Sequence, residues 1–244
     1  MTSPLQSQNP RIHDNCRAWV FGLLAGAIGW LGSFSTDAAD RKTLLVLGDS
    51  IAAGYGLEPQ QAFPALLQEK IDAAGWNVEV INGGVSGDTT AGGLRRINWM
   101  LKRPIDILVI ELGGNDGLRG LSPDMTRTNL QAIIDRVREK NSRTSIVIAG
   151  MRMPDNMGSV YTKEFANVFP ALAKANEVFL IPFLLESVGG VAGLNQADQI
   201  HPNAEGHRIV AGNVWKIIEP LLAKTPPVDH LKRTTAQETP AGKP

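Results

Sequence analysis

From Thr43 to Leu222 the chain alternates between short, almost unbroken apolar runs and longer stretches whose apolar residues recur every three or four positions. The runs TLLVL (43–47), WNVEVI (76–81), IDILVIEL (105–112), TSIVIAG (144–150) and VFLIPF (178–183) have the length of strands. The third is apolar at consecutive positions, as strands covered on both faces are. Between the runs, the periodicity predicts helices over 58–75, closed by Gly75, over 88–102, 122–141 and 163–176, and a last one over 203–222. Ser122 followed by Pro123 marks a helix start, because the hydroxyl caps a free N–H and the proline has no N–H to leave unpaired. Strands and helices in this alternation predict an α/β fold: a single flavodoxin-like, doubly wound sheet of about five parallel strands, with helices on both faces. Ligands of such sheets bind beyond the carboxyl ends of the strands. No internal repeat interrupts the pattern.

Both ends of the chain depart from it. Arg11 and Arg17 precede AWVFGLLAGAIGWLGSFST, which carries no formal charge, and TDAAD then supplies small residues. A basic start, an apolar stretch and a small-residue exit describe a secretory signal peptide over 1–38, cleaved near Ala38 or Ala39. The stretch is nearly long enough to span a bilayer, so an uncleaved N-terminal anchor is the rival reading. Residues 39–224 then form the folded domain, and the Pro-, Thr- and Lys-rich 225–244 are expected to be a disordered tail. The sole cysteine, Cys16, falls in the leader, which removes thiol chemistry from the mature chain. With 24 basic against 24 acidic residues, nothing in the charge suggests a nucleic-acid partner.

The polar residues at the strand ends carry the chemistry. The first strand runs into Gly48, Asp49 and Ser50, the second into NGGVSGDTT with Gly87 and Asp88, and the third into GGNDG with Asn115 and Asp116. ADQIHPN, just before the last helix, holds Asp198 and His201. A serine hydroxyl becomes a useful nucleophile when an imidazole takes its proton and a carboxylate holds that imidazole in one tautomer. Ser50, His201 and Asp198 are candidates for those roles. The N–H groups of Ser50 and Gly87 and the Asn115 amide are candidates for an oxyanion hole. Taken singly, each feature has a plain structural reading: a Gly-Asp-Ser turn, Asp88 as a helix cap, GGNDG as a turn, Asn203 as the cap of the last helix. Asp49 and Asp116 are expected to hold loops by bonding nearby backbone N–H groups. Their joint occurrence at one end of one sheet favours the catalytic reading. A nucleotide or flavin site is the rival on such a sheet, but neither Gly-x-Gly-x-x-Gly nor a Walker lysine pattern follows the first strand.

The blocks LLVLGDSIAAGYGL, NGGVSGDTT, ELGGNDGLRG and DQIHPNAEGH resemble, in order, the motifs of the GDSL or SGNH hydrolase family. They are similar in particular to its bacterial periplasmic acyl-CoA thioesterase, lysophospholipase and arylesterase branch. The resemblance implies Ser50 as nucleophile, Ser50, Gly87 and Asn115 as the oxyanion hole, and Asp198 with His201 completing the triad. One departure is Ile51 in place of the usual leucine, a change of packing behind the nucleophile. MRMPDNMGSVY (151–161) is similar to a substrate-side loop of the same branch, which implies Met151, Met153, Pro154 and Met157 as substrate-binding residues. The implied activity is a serine esterase cleaving carboxylic esters and thioesters of acyl-CoA, aryl-ester or lysophospholipid type through an acyl-enzyme. A carbohydrate O-acetyl esterase of the same family and a non-catalytic envelope binding module are the alternatives. No metal, cofactor, nucleic acid or obligate protein partner is expected. Membrane contact is expected only through an uncleaved N-terminus, and the location is exported, periplasmic or secreted.

Overall fold

A computed structural model describes residues 41–223. The leader or anchor over 1–38 and the tail over 225–244 lie outside the described residues. Five parallel strands, β1 (Lys42–Gly48), β2 (Val78–Gly84), β3 (Ile107–Glu111), β4 (Ser145–Ala149) and β5 (Phe179–Ile181), form one sheet in the order β2-β1-β3-β4-β5. That order is flavodoxin-like, as the alternation of elements predicts. Among the described residues the α-helices are α1 (Ser50–Ala53), α2 (Phe63–Ala73), α3 (Thr90–Met100), α4 (Gly114–Leu118), α5 (Pro123–Lys140), α6 (Ser159–Asn176) and α7 (Ala204–Ala223).

Right-handed crossovers dictate which helix covers which face. The chain first steps from β1 to β2 and then returns past β1 to β3, so α2 and α3 fall on opposite sides. Accordingly α2 packs with α7, while α3 packs with α5 and α5 with α6. Strands in the middle of two helical layers lose all contact with water: Leu44, Val46, Leu47 and Leu108, Val109, Ile110 are fully buried. Each such side chain contributes about 1.5–3 kcal/mol relative to exposure.

Three local departures from expectation have physical causes. The helix over 58–75 is two pieces, a 3-10 turn Pro59–Gln61 and then α2, with Ala62 extended between them. Pro64 has no N–H to donate to a carbonyl four residues back, and it sits in the first turn of α2, where no such bond is needed. Thr89, and not Asp88, caps α3 by accepting from the Gly92 N–H, while Asp88 pairs with Arg96 at 2.7 Å. GGNDG winds into the short helix α4 where a plain turn is the simpler reading. The Ser122 cap and Pro123 start of α5 appear as predicted, and Asn203 caps α7 through the Gly206 N–H at 3.0 Å.

Candidate active site

At the end of β1 the chain turns tightly over β3. A Cβ on Gly48 would come within 2.4 Å of both the Ala52 methyl and a Glu111 carboxyl oxygen, so no larger residue fits. Asp49 caps α1 by accepting from the Ile51 N–H at 3.0 Å, and Gly54, at φ 73, ends the helix in the left-handed region that glycine alone enters freely. Ser50 is the first residue of α1 and is buried, with its hydroxyl facing the loop before α7.

That loop is built to present a histidine. His201 Nε2 lies 2.9 Å from Ser50 Oγ, and its Nδ1 lies 2.6 Å from Asp198 Oδ2. Asp198 Oδ1 accepts from the N–H groups of Ile200 and His201 at 2.9 and 3.0 Å. These bonds, the His201 N–H first, hold its carboxyl down at about 2, so it is ionised at any ordinary pH. Gln196 ties the loop to the nucleophile turn: its N–H donates to the His201 carbonyl and its amide donates to the carbonyls of Tyr55 and Pro202. The Tyr55 ring lies 4.6 Å from the imidazole.

The three expected donors follow the carboxyl ends of the neighbouring strands β1, β2 and β3. Among the described residues, neither the Ser50 N–H nor the Gly87 N–H donates to another protein group. Gly87 has φ 78, and a Cβ there would meet nothing closer than 3.8 Å; backbone conformation, not crowding, calls for glycine. Asn115 Nδ2 donates to the Asp88 carbonyl at 2.9 Å and to Asp49 Oδ2 at 3.2 Å. Asp116, the next residue, is fully buried and accepts from the Thr90 N–H and both the Thr90 and Thr126 hydroxyls, which anchors α4 to α3 and α5.

The structure therefore joins Ser50, His201 and Asp198 directly and ties Asn115 to Asp49, beside Ser50, and to Asp88, beside Gly87. Of the loop residues, Met151 and Met153 are buried in the core, Met157 is half-buried and Pro154 is exposed. Met153 closes on α4, its sulfur 2.2 Å from where a Cβ on Gly117 would stand. Sequence reasoning passed over Glu111, Tyr55, Gln196 and Arg96, whose guanidinium bonds the Gly48 and Gly83 carbonyls and so joins the ends of β1 and β2. Only Glu111 carried a signal, as an acid in an otherwise apolar strand. Among the described residues no cluster of His, Cys, Asp and Glu is arranged to hold a metal ion.

With this geometry in place, similarity to known proteins becomes informative. The sequence model of the GDSL-like Lipase/Acylhydrolase family matches residues 46–209, from β1 into α7. The chain belongs to this family. The hydrolase is 41% identical to Esterase TesA of Pseudomonas aeruginosa over 82% of its own length and 98% of that protein's. It is 40% identical to Thioesterase 1/protease 1/lysophospholipase L1 of Escherichia coli K12, covering 78% of this chain and 88% of that one. A crystal structure of TesA superposes with a TM-score of 0.71 at 41% identity, over 74% of the hydrolase and 99% of the TesA chain.

Proposed function

We propose that the hydrolase cleaves carboxylic esters and thioesters through an acyl-enzyme on Ser50. The observation that carries this reading is the unbroken contact from Asp198 through His201 to the Ser50 hydroxyl, at 2.6 and 2.9 Å. Ser50 Oγ attacks the substrate carbonyl carbon as its proton passes to His201 Nε2. The carbonyl oxygen, now an anion, is received by the N–H groups of Ser50 and Gly87 and by the Asn115 amide. The intermediate collapses, and His201 returns the proton to the departing alkoxide or thiolate. Water then attacks the acyl-enzyme with His201 as base, which releases the acid and restores Ser50. Asp198 stays ionised throughout and holds the tautomer that leaves Nε2 free to accept.

Small-molecule acyl esters and thioesters are the proposed substrates, and the names of the esterase and thioesterase relatives support that class. The acyl chain would run along the 151–161 loop. The buried Met151 and Met153 shape that wall from beneath, and Pro154 and Met157 are its accessible members. Export is part of the proposal, supported by the basic, apolar and small-residue sequence of 1–38. The test is hydrolysis of nitrophenyl esters and acyl-CoAs by wild type and Ser50→Ala. The variant should melt like wild type and keep less than about a thousandth of kcat. Retention within about tenfold would reject Ser50 as the nucleophile.

A further inference from the structure

We propose that Glu111 works as a neutral carboxylic acid beneath the nucleophile turn and is a positioning residue for Ser50 and, through Asp49, for the Asn115 amide. The inference rests on the assignment of Ser50 as nucleophile. Glu111 ends β3 directly beside Gly48 in the sheet, and it has no contact with water. Its Oε2 accepts from the Asp49 N–H at 3.0 Å and from the Ala52 N–H at 3.1 Å, one on each side of Ser50 in the chain. Asp49 takes up two more donors of the same turn, the Ile51 N–H on its side chain and the Ala53 N–H on its carbonyl. Among the described residues every N–H from 49 to 53 is thus committed except that of Ser50, which is left without a protein acceptor.

The charge state of Glu111 follows from what surrounds it. Its Oε1 is buried and receives no hydrogen bond, and among the described residues no Lys, Arg or His pairs with the carboxyl. The nearest acidic neighbour, Asp49, is itself buried. An ionised carboxylate with one orphaned oxygen beside a second carboxylate would carry a large desolvation and repulsion cost. The acid form removes both costs, since the Oε1 proton turns the orphan into a donor and the neighbouring Asp49 carboxylate can accept it. Burial first, and then the Asp49 charge, push the Glu111 carboxyl well above the usual range, in keeping with this geometry.

The consequence reaches the oxyanion hole. Asp49 Oδ2 holds Asn115 Nδ2, so a proton shared within the pair leaves one negative charge behind that donor where two ionised acids would leave two. Fewer negative charges there mean a more favourable site for the developing anion. A bland alternative makes Glu111 a turn-filling acid that affects stability alone, and the two readings separate experimentally.

The experiment uses the whole hydrolase with Glu111→Met, Glu111→Gln and Glu111→Asp. It reads melting temperature, kcat and KM on a nitrophenyl butyrate ester, and the rate at which a nitrophenyl phosphonate ester labels Ser50. Methionine removes the acceptor and the proton at similar volume; kcat and the labelling rate should both fall by about 30- to 300-fold with KM within about threefold. Glutamine supplies a carbonyl for the two N–H groups and an uncharged donor toward Asp49, so it should restore both rates to within about threefold of wild type. A folded Glu111→Met enzyme with wild-type kcat, or a Glu111→Gln enzyme as slow as Glu111→Met, would overturn the proposal. Should Glu111→Met fail to fold, Glu111→Asp decides, because its withdrawn carboxyl should cost kcat and labelling while Glu111→Gln does not. Ser50→Ala run alongside tests the underlying assignment separately: if the variant is still labelled at the wild-type rate, Ser50 is not the nucleophile.

Discussion

His201 and His207 lie six positions apart, one in the loop before α7 and one in its second turn. His201 is partly exposed, with Asp198 on one ring nitrogen, the Ser50 hydroxyl on the other and Tyr55 against its face. His207 is buried; its Nδ1 accepts from the Phe63 N–H at 3.1 Å and its ring stacks on that of Phe63. Burial first, and the charge of His201 second, push the His207 imidazole down to about 4, so it stays neutral and joins α7 to the start of α2. The same side chain is the proposed proton carrier in one place and a fixed acceptor in the other. What differs is an acid partner, a hydroxyl and access to water.

The widest gap between the two should appear on truncation. His201→Ala should lower kcat by about 10⁴- to 10⁶-fold. His207→Phe should leave kcat per folded molecule within about threefold, a negligible change in barrier. Active-site titration corrects for folded fraction, and a catalytic loss in His207→Phe equal to that in His201→Ala would abolish the distinction.

Asn115 sharpens the comparison, since it has structural bonds and a proposed catalytic role. Asn115→Ala should lower kcat by about 10²- to 10³-fold with KM nearly constant. If it merely shaped α4, the loss would appear as a lower melting temperature with activity per folded molecule preserved.

A smaller effect is expected along the acyl chain. Each buried methylene contributes up to about 0.8 kcal/mol, and a partly open groove realises a fraction of that. kcat/KM should therefore rise gradually, about ten- to a hundredfold, from acetyl to hexanoyl esters. Faster turnover of acetyl esters, especially of sugars, would favour the carbohydrate O-acetyl esterase reading.

The smallest expected change is in stability, and it returns to His207. Its folded value of about 4 lies below the ordinary 6.5, so between those pH values the unfolded chain binds a proton that the folded chain refuses. Stability should fall as pH drops through that window, by about 3 kcal/mol at most. Asp49, raised to about 6, and Glu111 act in the opposite sense, losing their contribution as pH rises. Urea unfolding from pH 7 to 4 should show a steeper acid loss in wild type than in His207→Phe. At pH 7 the variant should be less stable by about 1–3 kcal/mol, because the Phe63 N–H loses its acceptor. Parallel curves for the two proteins would mean that His207 does not resist protonation.

Much of this hydrolase was legible along the chain because the determining interactions are local. The Ser122–Pro123 start of α5 depends on groups within a few residues, and the apolar runs of β1 and β3 announce burial by composition alone. Alternating strands and helices imply the parallel sheet, and the sheet implies a crevice at the strand ends, where Ser50, Gly87 and Asn115 were expected. Tertiary structure decided the rest, because it depends on which distant backbone arrives where. His201 meets Ser50 across 151 positions, Gln196 reaches Tyr55 across 141, and Glu111 closes on Asp49 across 62. No periodicity encodes such distances. Nor could composition tell that Met151 and Met153 pack inward while Pro154 stays open, since the same apolar side chain suits a core or a groove and only the neighbouring helix α4 settles the choice. The sequence by itself determined the alternation of strands and main helices and the residue types at the strand ends; the fold decided their partners, and with them how deeply Glu111, Asp49 and His207 are buried.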